Sequence, residues 1–116
     1  MVVDIRGIGL APTDAIVQHA ESRASSALRP FAGRLLKATV RLEDVNADHG
    51  GVDKRCLIVA VLRRRRMEVA EATAVDMYLA IDKAFRRIHS AVSRVIQRSS
   101  SRERKDRQRP GALLAH

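Results

Sequence analysis

The sequence predicts a two-layer α+β domain of order β-α-β-β-β-α, a four-stranded sheet with two helices on one face. Three observations predict it. Two stretches repeat apolar residues at three-and-four spacing, three consecutive stretches alternate or run apolar between turns, and 116 residues suffice for one core but not two. Three successive strands favour an antiparallel meander, and two amphipathic helices can cover only one of its faces.

Residues 2–5 alternate weakly and are closed by Gly7 and Gly9, the pattern of a short first strand ending in a turn. Pro12 and Thr13 then start a helix, with Thr13 as N-cap. Its inner face is Ile16, Val17, Ala20, Ala24, Leu28 and Phe31, and Pro30 and Gly33 end it. Arg23 and Arg29 lie outward. Residues 37–43 alternate strictly, with Ala38, Val40 and Leu42 inward, so they form a half-buried strand. Residues 46–51 have turn chemistry.

Residues 54–62 form the next strand, and Cys56, Ile58, Ala60 and Leu62 face the helices. Leu57, Val59 and Val61 then fall on the open side, where either a partner covers them or the surface tolerates them. Arg63, Arg64, Arg65 and Arg66 make a four-arginine hairpin turn before a fourth strand at 67–73. There Glu68 points inward if Ala70 and Ala72 do, unless a bulge shifts the phase.

The last helix, 75–98, sorts its residues most clearly. Met77, Tyr78, Ile81, Phe85, Ile88, Val92, Val95 and Ile96 make an apolar stripe for the core. Opposite them Lys83, Arg87, Arg94 and Arg98, with Arg86 beside, make a cationic row without a carboxylate between Asp82 and Glu103. Residues 1–98 therefore read as the domain. Residues 99–116, rich in Ser, Arg and Lys at first, read as a basic tail that stays disordered or folds on contact.

The formal charge of +9 and a pI near 11.2 predict a polyanionic partner, nucleic acid by default. With no Trp, one Tyr and two Phe the chain lacks a platform for stacking unpaired bases, so phosphates and shape are the expected targets. A single cysteine, the absence of a secretory leader and the lack of a membrane-length apolar run predict a cytoplasmic protein. His19, His49, His89 and His116 show no metal-ligand spacing with one another or with Cys56, so no metal or cofactor is expected. Gly7-x-Gly9 and Gly50-Gly51 lack the helix and lysine of a phosphate loop. Asp76 and Asp82 lie on different sides of their helix, and Glu43 and Asp44 alternate across a strand. No catalytic constellation results, and a non-enzymatic binder is expected.

Val75-Asp76-Met77-Tyr78-Leu79-Ala80-Ile81-Asp82 resembles the Asp-Met-Tyr-x-Ala-Ile-Asp signature of the ribosome hibernation promoting factor and ribosome-associated inhibitor family. Three further stretches agree in order and spacing: Asp4-Ile5-Arg6-Gly7-Ile8-Gly9-Leu10, Thr13-Asp14-Ala15, and Gly51-Val52-Asp53-Lys54-Arg55-Cys56. Physically the signature is a helix start, in which Asp76 caps while Met77, Tyr78 and Ile81 turn into the core. The resemblance implies binding to the small ribosomal subunit and its 16S RNA, in the channel of messenger and transfer RNA. There the family blocks translation in starved or stationary cells.

The family's basic positions carry over at Arg87, Arg94 and Arg98 but not at Ser90, and Lys83 and Arg86 compensate for the gap. Long relatives add a dimerisation domain; this chain resembles the short form and is expected to be monomeric when free. The expected RNA-binding set is Lys83, Arg86, Arg87, Arg94 and Arg98, then the four arginines 63–66, then Arg23, Arg29, Arg34, Lys37, Lys54 and Arg55. The tail bases extend the footprint or serve solubility. The alternative is a generic module for double-stranded RNA or DNA, whose domains share this element order. A membrane-surface helix conflicts with burying the same helix's apolar face, and no small-molecule substrate is expected.

Overall fold

The computed structural model describes residues 1–45, 53–64 and 66–108, with side chains as far as Ser99. The expected turn at 46–51, Arg65 and residues 109–116 lie outside the described residues. The elements are β1 (Val2–Ile8), α1 (Asp14–Leu28), a 3-10 turn (Arg29–Phe31), β2 (Leu35–Asp44), β3 (Lys54–Leu62), β4 (Arg66–Ala74) and α2 (Met77–Gln108). This is the expected β-α-β-β-β-α order. The sheet runs β1-β2-β3-β4, with β1 parallel to β2 and the other pairs antiparallel.

The hydrophobic pattern explains which face is covered. Ala38, Val40 and Leu42 of β2 pair with Ala60, Ile58 and Cys56 of β3, and all six are buried against the helices. Ala20, Ala24 and Leu28 of α1 and Met77, Ala80, Ile81, Ala84, Phe85, Ile88, Val92 and Val95 of α2 close the core from above. The small side chains of Ala80 and Ala84 are fully buried in the same core, beside the large apolar residues of the stripe. Full burial of side chains the size of Phe85 or Ile88 is worth about 1.5–3 kcal/mol each.

Several expectations are corrected. The first strand extends through Gly7 to Ile8, so Gly7 belongs to the strand. A Cβ there would lie 2.1 Å from the Leu10 carbonyl oxygen, which is why the position needs glycine; Gly9, at φ +72°, makes the turn. The β3–β4 register is uninterrupted, so no bulge moves Glu68. It shares the helix side with Ala70 and Ala72, but close to the strand's start, where it stays half-buried beside Arg94 and Arg98. Tyr78 is not a core residue. It is 37% exposed and meets the His19 ring edge-on at 5.0 Å, because its position turns it toward α1 and not toward the sheet.

α2 does not stop at Arg98, where the composition changes, but runs to Gln108. Residues 99–108 contain no Gly or Pro and are rich in Arg, Glu and Lys, which a helix accommodates at little cost. On the open face Val59 stands opposite Val69, and Val61 opposite Met67. These cross-strand pairs leave Leu57, Val59 and Val61 half-buried while Val69 and Met67 remain exposed.

Candidate RNA interface

Thr13 caps α1 by accepting a hydrogen bond from the Ile16 amide at 3.2 Å. Asp76 caps α2 by accepting one from the Tyr78 amide at 3.1 Å. These caps set where each helix begins and thus which residues its outer face presents. His19 meets Asp82, and Ala27 meets His89, so contacts advance in the same direction along both helices. The helices are parallel, and both finish at the end of the sheet that carries the arginine hairpin.

At that end the structure gathers residues that are far apart in sequence. The Arg63 amide donates to the Arg34 carbonyl at 3.0 Å, and the Arg63 Nε to the Gly33 carbonyl at 2.9 Å. This ties the hairpin to the loop before β2. Arg64, at φ 70°, takes the left-handed conformation of a tight turn, and Arg66 opens β4 with its side chain exposed. Arg94 and Arg98 line a shallow depression with Glu68 and Gln97. Thus Arg34, Arg63, Arg64, Arg66, Arg94 and Arg98 share one end, and among the described residues none of them is in an ion pair.

The cationic row on α2 is divided by its neighbours. Arg87 turns toward the sheet edge, where its Nη1 donates to the Glu71 carbonyl of β4 at 2.6 Å. It occupies a carbonyl that the free edge strand would otherwise present to another chain. Arg86 instead lines a groove between α2 and α1, together with Arg23 and His89. Lys83 is half-buried, and neither it nor Arg86 has an ion-pair partner among the described residues.

Other basic residues of the expected set serve the fold. Lys54 Nζ lies 2.8 Å from Asp44 and 3.3 Å from Asp53, the latter buried, and the Asp44 hydrogen bond is the main reason the amine pKa is raised. Arg55 bridges Glu43 and Glu71 across three strands. The Arg23 Nε lies 2.9 Å from Asp82, and an Arg29 Nη donates to the Ser25 hydroxyl at 3.1 Å. Lys37 is exposed on the open face. Arg41, also exposed on that face opposite Leu57, is a cation the sequence reading passed over as merely outward.

Among the described residues the one cysteine is protonated and no metal cluster is formed. Burial pushes the Cys56 thiol up to about 12, so it holds its proton at neutral pH and offers no thiolate nucleophile. Among the described residues no group of three His, Cys, Asp or Glu side chains is placed to hold a metal ion. No described helix is long and apolar enough to cross a membrane.

A small α+β domain with unpaired arginines collected at one end has the kind of surface that suits a polyanion. Residues 3–100 match the family model described as sigma 54 modulation protein / S30EA ribosomal protein, and the chain belongs to that family of ribosome-associated factors. The resemblance seen in the Asp76-Met77-Tyr78 helix start is borne out. The fold is similar to the N-terminal domain of Protein Y from Thermus thermophilus, at 30% identity and TM-score 0.64, over 81% of this chain and 94% of that one. It also matches a ribosomal subunit interface protein from Coxiella burnetii, at TM-score 0.70 and 17% identity, over 84% of this chain and 99% of that one. At that identity the second likeness concerns the fold alone. No curated protein matches the sequence.

Proposed function

We propose that the protein binds the small ribosomal subunit in the channel of messenger and transfer RNA and silences translation in starved or stationary cells. Family membership supplies the ribosome as partner, and the supporting observation is the arginine-rich end. Six arginines from three separate segments converge there, with Glu68 as the one carboxylate lining the depression beside Arg94 and Arg98, and among the described residues none of the six is in an ion pair. Unpaired guanidinium groups repel one another, a cost that folding does not require and that phosphates offset. Arg94 and Arg98 contribute most directly, because they stand on the rigid helix and no fold contact engages them. Lys54 and Arg55 drop out of the binding set, since their charges are already matched. Contact with 16S RNA is then mainly electrostatic and salt-dependent, and the protein acts by occupation and not by chemistry.

Sedimentation of the protein with purified small subunits, together with translation in vitro, tests this. Arg94→Glu with Arg98→Glu is expected to abolish both association and inhibition at moderate salt. Undiminished association would overturn the assigned end of the molecule. Competition with duplex RNA tests the channel: a protein fitted to it keeps its subunit in the presence of excess duplex, whereas a generic duplex-binding module is displaced.

A further inference from the structure

Between α1 and α2 the surface dips into an open groove of roughly 630 Å³, within the size range of small-ligand sites. We infer that this groove accepts one unstacked nucleotide of the bound RNA, a guanine in preference; the inference rests on the ribosome reading and adds a base-specific contact to it. The groove combines three features that a phosphate-only surface does not need.

The first is a held carboxylate. Asp82 Oδ1 accepts from His19 Nε2 at 2.7 Å and lies 2.9 Å from the Arg23 Nε. Both partners converge on the same oxygen, and no bond from the described residues reaches Oδ2. A carboxylate repels phosphate, so it weakens a site meant only for the RNA backbone. It is an acceptor for the Watson–Crick edge of a base, and guanine presents two adjacent donors there, N1–H and the exocyclic amine.

The second feature is a fixed ring. His89 Nδ1 donates to the Ala27 carbonyl at 2.8 Å, and the Phe31 ring packs near it at 5.2 Å between centroids. The imidazole is thereby oriented before any ligand arrives. Bases stack on histidine and guanidinium planes as well as on larger aromatic rings. A count of Trp, Tyr and Phe could not show this single stacking position.

The third feature is the division between floor and rim. Leu79, 44% exposed, gives apolar surface at one side. Arg86 supplies a guanidinium for the phosphate. Ser90 folds its hydroxyl back onto the Arg86 carbonyl at 3.2 Å, so a short side chain borders the groove and leaves it open. The base therefore stacks on His89 and turns its edge toward Asp82, with its phosphate on Arg86, while Leu79, about 15 Å from His89 along the helix, borders the far side of the groove.

Amide NMR spectra of the intact protein, titrated separately with guanosine monophosphate and with ribose phosphate, test the inference. Guanosine monophosphate is expected to shift the amides of Leu79, Asp82, His89 and Ser90 and to bind roughly tenfold more tightly, the worth of one charge-assisted hydrogen bond. Ser90→Phe fills the groove without altering charge and should abolish the shifts, while the remaining amides report an intact fold. Asp82→Asn should reduce the preference for guanosine over adenosine monophosphate. Equal response to ribose phosphate, or no response in the groove, overturns the inference. Sedimentation of the wild-type protein with small subunits separates the two readings: association without a base-dependent shift removes the groove alone, and failure to associate removes the ribosome reading.

Discussion

At the end where both helices begin stand Asp14, Asp44, Asp53 and Asp76; at the end where they finish stand Arg34, Arg63, Arg64, Arg66, Arg94 and Arg98. The acidic end uses its charges within the fold. Asp76 caps α2, Asp14 lies in the first turn of α1, and Asp44 and Asp53 hold Lys54. Each carboxylate meets a helix amide end or an ammonium, which is where negative charge is stabilising. At the basic end, among the described residues, Arg63 is the only one of these arginines whose side chain makes a bond that orders the chain, to the Gly33 carbonyl. The difference separates charges that build the molecule from charges left over for something outside it.

The largest expected effect follows from reversing the second group. Changing Arg34, Arg66, Arg94 and Arg98 together to Glu should abolish association with small subunits without lowering the thermal midpoint, because none of these side chains makes a bond within the fold among the described residues. Replacing the same four by Gln, a milder change, should leave binding measurable. The plot of log K against log salt should then be shallower by roughly 3, since each lost phosphate contact removes about 0.7–0.9 from the slope. Retained association with an unchanged slope would break the comparison.

The opposite experiment targets the acidic end. Thr13→Ala and Asp76→Ala each remove one cap and should cost about 1 kcal/mol, lowering the thermal midpoint by several degrees for a domain of this size. Association per folded molecule should be unchanged. A loss of binding larger than the loss of folded protein would mean that this end also touches the ribosome.

The difference between the ends also shows what could be read from sequence. The helix starts were legible because Thr13 and Asp76 are local signals, each acting on an amide two or three residues away. The buried face of β2 was legible because strict alternation admits only one assignment, whereas β3 is apolar on both faces, and its expected inward set of Cys56, Ile58, Ala60 and Leu62 is the one that the structure buries. Convergence of Arg34 and Arg63 was not, since it depends on a hydrogen bond between residues 29 positions apart. The cationic row on α2 was legible as a pattern but not in its division, because neighbouring elements decide what each member meets. Arg87 faces a strand edge and Arg86 faces α1. Tyr78 was misplaced for the same reason, as its position falls between the stripe facing the sheet and the side facing His19.

Arg87 lies between the two groups and sharpens the distinction. Its bond to the Glu71 carbonyl gives it a part in the fold, while the rest of its guanidinium remains exposed at the β4 edge. Arg87→Ala should therefore lower stability by about 1 kcal/mol, as for one hydrogen bond to a charged donor discounted for exposure. It should weaken association less than removal of either Arg94 or Arg98. Denaturation curves and sedimentation on the same preparation give the two numbers. Because the variant bares an edge carbonyl, a rise in self-association at high concentration is the expected secondary sign.

The smallest effect on binding is expected at Lys54, and it is the most discriminating. Net charge alone treats Lys54 as equal to any other cation, so a charge-counting model gives Lys54→Gln the same loss of affinity as Arg94→Gln. The structure places its ammonium between Asp44 and Asp53, at the end away from the arginines, where removing it uncovers two carboxylates. Screening at physiological salt has a length of about 8 Å, so a charge change there is not felt strongly at the far end. Lys54→Gln should therefore lower stability and leave the affinity and its salt dependence unchanged, whereas Arg94→Gln should do the reverse. Equal losses of affinity from the two substitutions would show that the ribosome senses the protein's total charge and not the end on which it is gathered.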